Sequence, residues 1–165
     1  MTSTKLVSFH VPKDQALLAA FGEMALCHEH MNYVLKMTIK TLSGITLADA
    51  LKETEYRGSR YLRQRIKELA AKALGEGAAL RELQGLMETC AALTKKRNNL
   101  VHGFWAKELD GDACISDAHG NEHPLPTSAE LHALAKEIES HTKHLNLERR
   151  KGFLAKALQR TGYLQ

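Results

Sequence analysis

"AALRELQGLMETCAALTKKRNNLVHGFW", residues 78–105, is the stretch on which the fold turns. Leu80, Leu83, Leu86, Met87, Cys90, Leu93 and Val101 supply an apolar side at helical spacing, so a long helix is expected here, stopping at Gly103. The texture then changes. "FWAKELDGDACISDAHGNEHPLP" sets "DGD" between short half-apolar runs, which predicts a small β-hairpin followed by a polar loop closed by Pro124 and Pro126.

Towards the N-terminus the same helical spacing returns twice. Leu17, Phe21, Met24, Met31, Leu35 and Leu42 predict a first helix from about Pro12 to Leu42. Pro12 suits its first turn, Asp14 favours its N-terminus, and Gly44 suits a left-handed stop. "TLADALKET" follows as a shorter helix capped by Thr46. "SRYLRQRIKELAAKALG" is the next, with Ser59 as cap and Leu62, Ile66, Leu69, Ala70 and Leu74 buried. Beyond the hairpin, Thr127 or Ser128 caps a final helix, "SAELHALAKEIESHTKHLNLERRKGFLAKALQR", with Gly152 as a point of interruption. The sequence shows no internal repeat, low-complexity tract or linker. It predicts one domain over residues 1–165, all-α, with four to five helices and a small β-hairpin before the last one.

A formal charge of +4 and a pI near 9.0 suit a polyanionic partner without demonstrating one. Cys27, Cys90 and Cys114 are an odd number with no C-x-x-C pair, which speaks against a disulfide framework or a zinc knuckle. The opening "MTSTKLVSFHVPKDQ" has no continuous apolar run, and nothing approaches the roughly 18 apolar residues of a membrane span. A soluble cytoplasmic protein without membrane contact is the expectation.

Two histidine groups raise the question of metal. His141 and His144 are three residues apart on the last helix, so both imidazoles can face one ion, but nothing nearby completes a ligand set. Two solvated histidines on a polar face are the plainer reading. "CHEH", residues 27–30, is weaker as one site, because neighbours at i and i+2 leave a helix on different sides. His28 itself falls on the apolar stripe, as a hydrogen-bonded core histidine or as the lining of a groove. No phosphate-cradling glycine loop, nucleophile elbow or carboxylate cluster is present, so the reading carries no metal and no cofactor.

Two segments are basic. "RGSRYLRQRIKELAAK" carries Arg57, Arg60, Arg63, Arg65, Lys67 and Lys72 against Glu68, with Tyr61 placed to stack on a base. The last helix carries Lys143, Arg149, Arg150, Lys151, Lys156 and Arg160. Either face alone is equally well a solvated helix surface. In "TKKRNNLVHG", Lys95, Lys96 and Arg97 precede Asn98 and His102 at the helix end. Cations there complement the negative end of the helix dipole, by about 0.3–1 kcal/mol, and a glycine cap is ordinary. The same residues also meet the needs of phosphate chemistry: a permanent cation for developing charge and an imidazole for proton transfer near neutral pH.

Arg97-Asn98-x-x-x-His102, closing a long helix in a small helical domain, resembles the signature of HEPN-type domains. Their pattern is an Arg, a polar residue, and a His four to six residues after the Arg. "RNNLVHGFW", with Gly and an aromatic ahead of a hairpin, is similar to a bacterial branch that includes RNase toxins and antiviral effectors. The resemblance implies metal-independent cleavage of RNA that leaves a 2′,3′-cyclic phosphate. Arg97 would hold the scissile phosphate, His102 would aid attack by the 2′-hydroxyl, and Asn98 would orient them. Lys95, Lys96, Arg57, Arg60, Arg63 and Tyr61 would then contact RNA. It further implies a homodimer with two motifs lining one cleft, and an antitoxin protein as partner. A second polar residue is expected on the first helix, where Glu29 and Asn32 both qualify. Some members are non-catalytic modules that bind RNA or protein, which is the alternative reading.

Overall fold

The computed structural model describes residues 7–108, 111–117 and 119–162. Asp14 sets the start of α1, Gln15–Ser43. Its backbone is extended and its carboxylate accepts hydrogen bonds from the amides of Ala16 (2.8 Å) and Leu17 (3.2 Å), the geometry of an N-cap. Pro12 therefore lies before the helix and not in its first turn. Gly44 ends α1 in the left-handed conformation, φ 65°, as its lack of a Cβ allows. Thr46 caps α2, Leu47–Glu53, by accepting from the amide of Asp49.

α3, Ser59–Leu74, starts one residue earlier than a Ser59 cap requires. Gly58 occupies the cap position, and Ser59 is a buried first-turn residue whose hydroxyl donates to Asn32 Oδ1 at 2.6 Å. α4 runs Ala78–Val101 with His102 as its C-cap. Thr127 caps α5, Ser128–Arg150, through a reciprocal capping box with Glu130. The chain turns at Gly152 into α6, Phe153–Arg160.

The sheet is larger than the expected hairpin. β1 (Val7–Phe9), β2 (Phe104–Glu108), β3 (Ala113–Ser116) and β4 (Glu122–Pro124) form one antiparallel sheet in the order β1-β2-β3-β4. The predicted hairpin is its centre, with Trp105 opposite Ile115 and Ala106 opposite Cys114. Part of the "DGD" turn lies outside the described residues. Part of the expected polar loop is β4, held by a tight turn in which Asp117 accepts from the amides of His119 and Asn121 and the side chain of Asn121. These hydrogen bonds hold the Asp117 carboxyl far below the usual carboxylate range. At three residues each, β1 and β4 are too short for an alternating pattern to declare them. The architecture is thus mainly α with a four-stranded antiparallel sheet.

α1 packs along α5 and against α3, and α4 closes the other side of α3. Met24, Met31, Leu35, Ile39, Leu62, Ile66, Leu83, Met87, Ile138 and Leu145 are fully buried between them. Each stabilises the fold by about 1.5–3 kcal/mol of transfer free energy. The sheet is fastened to the end of α4 through Trp105, whose indole donates to Leu100 O at 2.8 Å while its ring meets Phe21 edge-on at 5.8 Å. Gly103 is small for the same reason. A Cβ there would overlap Ile115 Cγ2 and stand 2.5 Å from the carbonyl oxygen of Asn99. This glycine admits the close approach of β3 and is not a left-handed helix stop.

Candidate active-site cleft

Helical spacing explains how one cleft gathers polar residues from three helices. His28, Glu29 and Asn32 on α1 share a side, as do Ser59, Arg60 and Arg63 on α3 and Thr94, Asn98 and His102 on α4. Together with Tyr56, Arg57, Lys95, Arg97 and Asn99 they line an open cleft of about 730 Å³. Among the described residues lining it, Glu29 is the one carboxylate, alongside four arginines and Lys95.

Arg97 is held from two sides. Its Nη1 donates to Asn98 Oδ1 at 3.0 Å, and its Nη2 lies 4.0 Å from Glu29 Oε1. The side chain is only 17% exposed, and its buried Nε has no hydrogen-bond partner among the described residues. Glu29 is positioned in turn by Asn32, whose amide donates to both carboxylate oxygens at 3.3 and 3.4 Å. Ser59 donates to Asn32, so α3 and α4 are connected through two polar residues of α1. Both first-helix candidates therefore belong to the cleft, Glu29 beside Arg97 and Asn32 behind Glu29.

His28 is buried and hydrogen-bonded, yet it also lines the cleft. Its Nε2 is 3.3 Å from Thr94 Oγ1. The Thr94 hydroxyl donates to Cys90 O at 2.8 Å and accepts from Arg63 Nη1 at 3.3 Å. The His28 Nδ1 is buried 3.5 Å from Glu29 Oε1 without a well-formed hydrogen bond among the described residues. Burial pushes the His28 pKa down, the Arg97 cation pushes the same way, Glu29 opposes and Arg63 adds to the lowering. A neutral imidazole follows. Burial also lowers the pKa of Arg63, and Arg60 beside it adds to the effect.

His102 stands at the mouth of the cleft. It is exposed, and its amide donates to Asn98 O at 2.9 Å, closing the last turn of α4. Lys95 and Lys96, adjacent in sequence, part company. Lys95 lines the cleft, whereas Lys96 pairs with Glu137 of α5 at 2.7 Å on another face. Tyr61 is not part of the cleft lining. The Arg57 guanidinium sits over its ring, 4.8 Å from the centroid.

The other candidates lie elsewhere. His141 Nε2 donates to Leu86 O at 3.1 Å and lies 3.2 Å from Cys90 Sγ, while His144 is 3.5 Å from Glu148. The two are therefore engaged with different partners. Among the described residues no three His, Cys, Asp or Glu side chains are grouped to hold a metal ion. On the basic face of α5, Lys143 pairs with Glu139, and Arg149 donates to Thr41 and Asn146. No described helix is long and apolar enough to cross a membrane. Past Gly103 a second, apolar cleft of about 410 Å³ opens between Phe9, Val11, Leu18, Phe104 and Trp105.

Sequence reasoning missed Thr94, which lies four residues before Asn98 on the same helix side, and read Ser59 as a cap. The signal for Thr94 was that spacing. Ser59 offered none, because a serine at a helix start looks alike in either role. No protein-family model, curated protein or solved structure matches this chain.

Proposed function

We propose that this chain is a HEPN-like, metal-independent endoribonuclease that acts through Arg97, Asn98 and His102. The observation that carries the reading is the convergence of these residues with Arg57, Arg60, Arg63 and Lys95 around one cleft with a single carboxylate among its described lining residues. Such a surplus of cations costs self-repulsion that a bound polyanion relieves. In the reaction, the RNA 2′-oxygen bonds to the adjacent phosphorus as the bond to the 5′-oxygen breaks. His102 takes the 2′-hydroxyl proton, and the departing 5′-oxygen takes a proton from water. Arg97 neutralises the charge that grows on the phosphoryl oxygens, and Asn98 fixes the Arg97 fork through its Oδ1. The product is a 2′,3′-cyclic phosphate. A role as a toxin or antiviral effector with an antitoxin partner rests on the family resemblance alone.

The test is cleavage of labelled RNA in excess chelator, with His102→Ala as the control for contaminating nuclease. Cyclic phosphate ends and resistance of 2′-O-methyl RNA are expected. A magnesium requirement with 5′-phosphate products refutes the reading. The alternative, a non-catalytic RNA- or protein-binding module, is favoured by the apolar cleft beside the motif, where Phe9 is 86% and Val11 75% exposed. That surface equally suits a homodimer contact that brings two motifs together.

A further inference from the structure

Two tyrosines flank Arg57, and they are in opposite situations. Tyr61 carries the Arg57 guanidinium on its ring. Tyr56 is 96% exposed, lines the cleft, and has no ring contact among the described residues. Its backbone is also unusual. At φ 55° it is the one non-glycine residue with positive φ among those described, a conformation that a Cβ and an aromatic ring disfavour. Gly58 stands two residues on, so the turn had a permissive residue within reach and placed the tyrosine in the strained position instead. Burial does not repay that strain, because the ring packs against nothing. A solvated aromatic face at the rim of a cation-lined cleft matches one ligand chemistry well: an unstacked base next to a backbone phosphate.

We propose that Tyr56 is a base-stacking residue, so that the cleft takes single-stranded RNA with the base of a nucleotide near the Arg97-bound phosphate lying on the Tyr56 ring. This rests on the reading of the cleft as an RNA site and adds its substrate class. A base inside a duplex has both faces covered by its stacked neighbours, so the contact selects single strands over duplex. Tyr61 carries the Arg57 guanidinium on one face and lies outside the cleft lining.

The experiment uses the full chain and a labelled 2′-O-methyl RNA of about eight nucleotides, a length within the usual single-strand site range. A series of the same oligonucleotide carries one abasic residue at successive positions. Tyr56→Gly should weaken binding by about 5- to 150-fold, the equivalent of one stacked base, while Tyr56→Phe binds like wild type. One abasic position should weaken wild-type binding by a similar factor and be without effect on Tyr56→Gly. Thermal melts should show Tyr56→Gly no less stable than wild type, since glycine accepts the backbone that tyrosine strains. Wild-type binding with Tyr56→Gly equally tight, or with losses that multiply independently at every abasic position, overturns the stacking role and leaves the cleft reading intact. No binding by wild type overturns both.

Discussion

Replacing Gly103 by alanine tests how the sheet holds the end of α4. The new Cβ would overlap Ile115 Cγ2 and stand 2.5 Å from Asn99 O. Ile115 is a packed strand residue, 4% exposed, and Asn99 O is backbone, so neither neighbour can simply swing aside. Overpacking of this kind costs about 1–3 kcal/mol. At about 2–4 °C per kcal/mol for a chain of this size, the melting temperature should fall by several degrees. The same substitution at Gly85, exposed inside α4 with nothing within 4 Å, should stabilise by about 0.4–1 kcal/mol. Activity separates the pair further. His102 precedes Gly103, so a shift of β3 away from α4 moves His102 within the cleft, and angstrom-scale misplacement costs on the order of a hundredfold in rate. Paired melts and cleavage assays check this. A Gly103→Ala protein as stable and as active as Gly85→Ala would refute the argument that close approach, and not helix capping, requires glycine here.

Arg97→Ala and His102→Ala should each abolish cleavage; the exposed His102 should change stability by less than about 1 kcal/mol, whereas Arg97→Ala, which loses a largely buried side chain and its hydrogen bond to Asn98, should cost about 1–3 kcal/mol. Full activity in His102→Ala would reduce the motif to a helix end. Light scattering should give twice the 18.4 kDa chain mass, and a clean monomer at micromolar concentration removes the two-motif site. His28 and His141 both have pKa values lowered chiefly by burial. Each is neutral when folded and takes up a proton more readily when unfolded, so its contribution is present above the ordinary value of 6.5 and lost as pH falls towards the folded value. Melts from pH 7.5 down to 5.5 should show that loss, and His141→Gln should shallow it; an unchanged slope in the variant counts against the assignment.

The helices were legible in the sequence from their apolar spacing, and the ends of α1, α2 and α5 also from their punctuation. Asp14, Thr46 and Thr127 cap where oxygen-bearing side chains precede an apolar run, and Gly44 ends α1 where a left-handed turn is needed. The outer strands were not legible. Val7–Phe9 becomes a strand only because β2 lies beside it, a long-range fact that no local pattern records. The cleft was half legible. Arg97, Asn98 and His102 are close in sequence, and their spacing on one helix end is visible. That Arg57 leans on Tyr61, or that Lys96 turns to Glu137, depends on how α3 and α5 meet their neighbours.

The choice between a site and a cap at the end of α4 is best argued from where local rules are broken. Elsewhere, Asp14, Thr46 and Thr127 cap their helices, and two scattered buried polar atoms, Ser43 Oγ and Arg149 Nε, lack partners among the described residues. Around the cleft, several departures coincide. Arg97 keeps a buried Nε without a partner, His28 keeps a buried Nδ1 without a well-formed hydrogen bond, Tyr56 holds a conformation tyrosine disfavours, and four arginines line the cleft with one glutamate among the described residues. A helix cap needs none of these. Structural explanations exist for each singly, but they make no reason for all to share one cleft. An anionic, partly aromatic ligand answers most of them together, since its phosphate compensates the arginines and its base uses the exposed ring. That coincidence favours a ligand-binding cleft over a helix end whose sequence only resembles one.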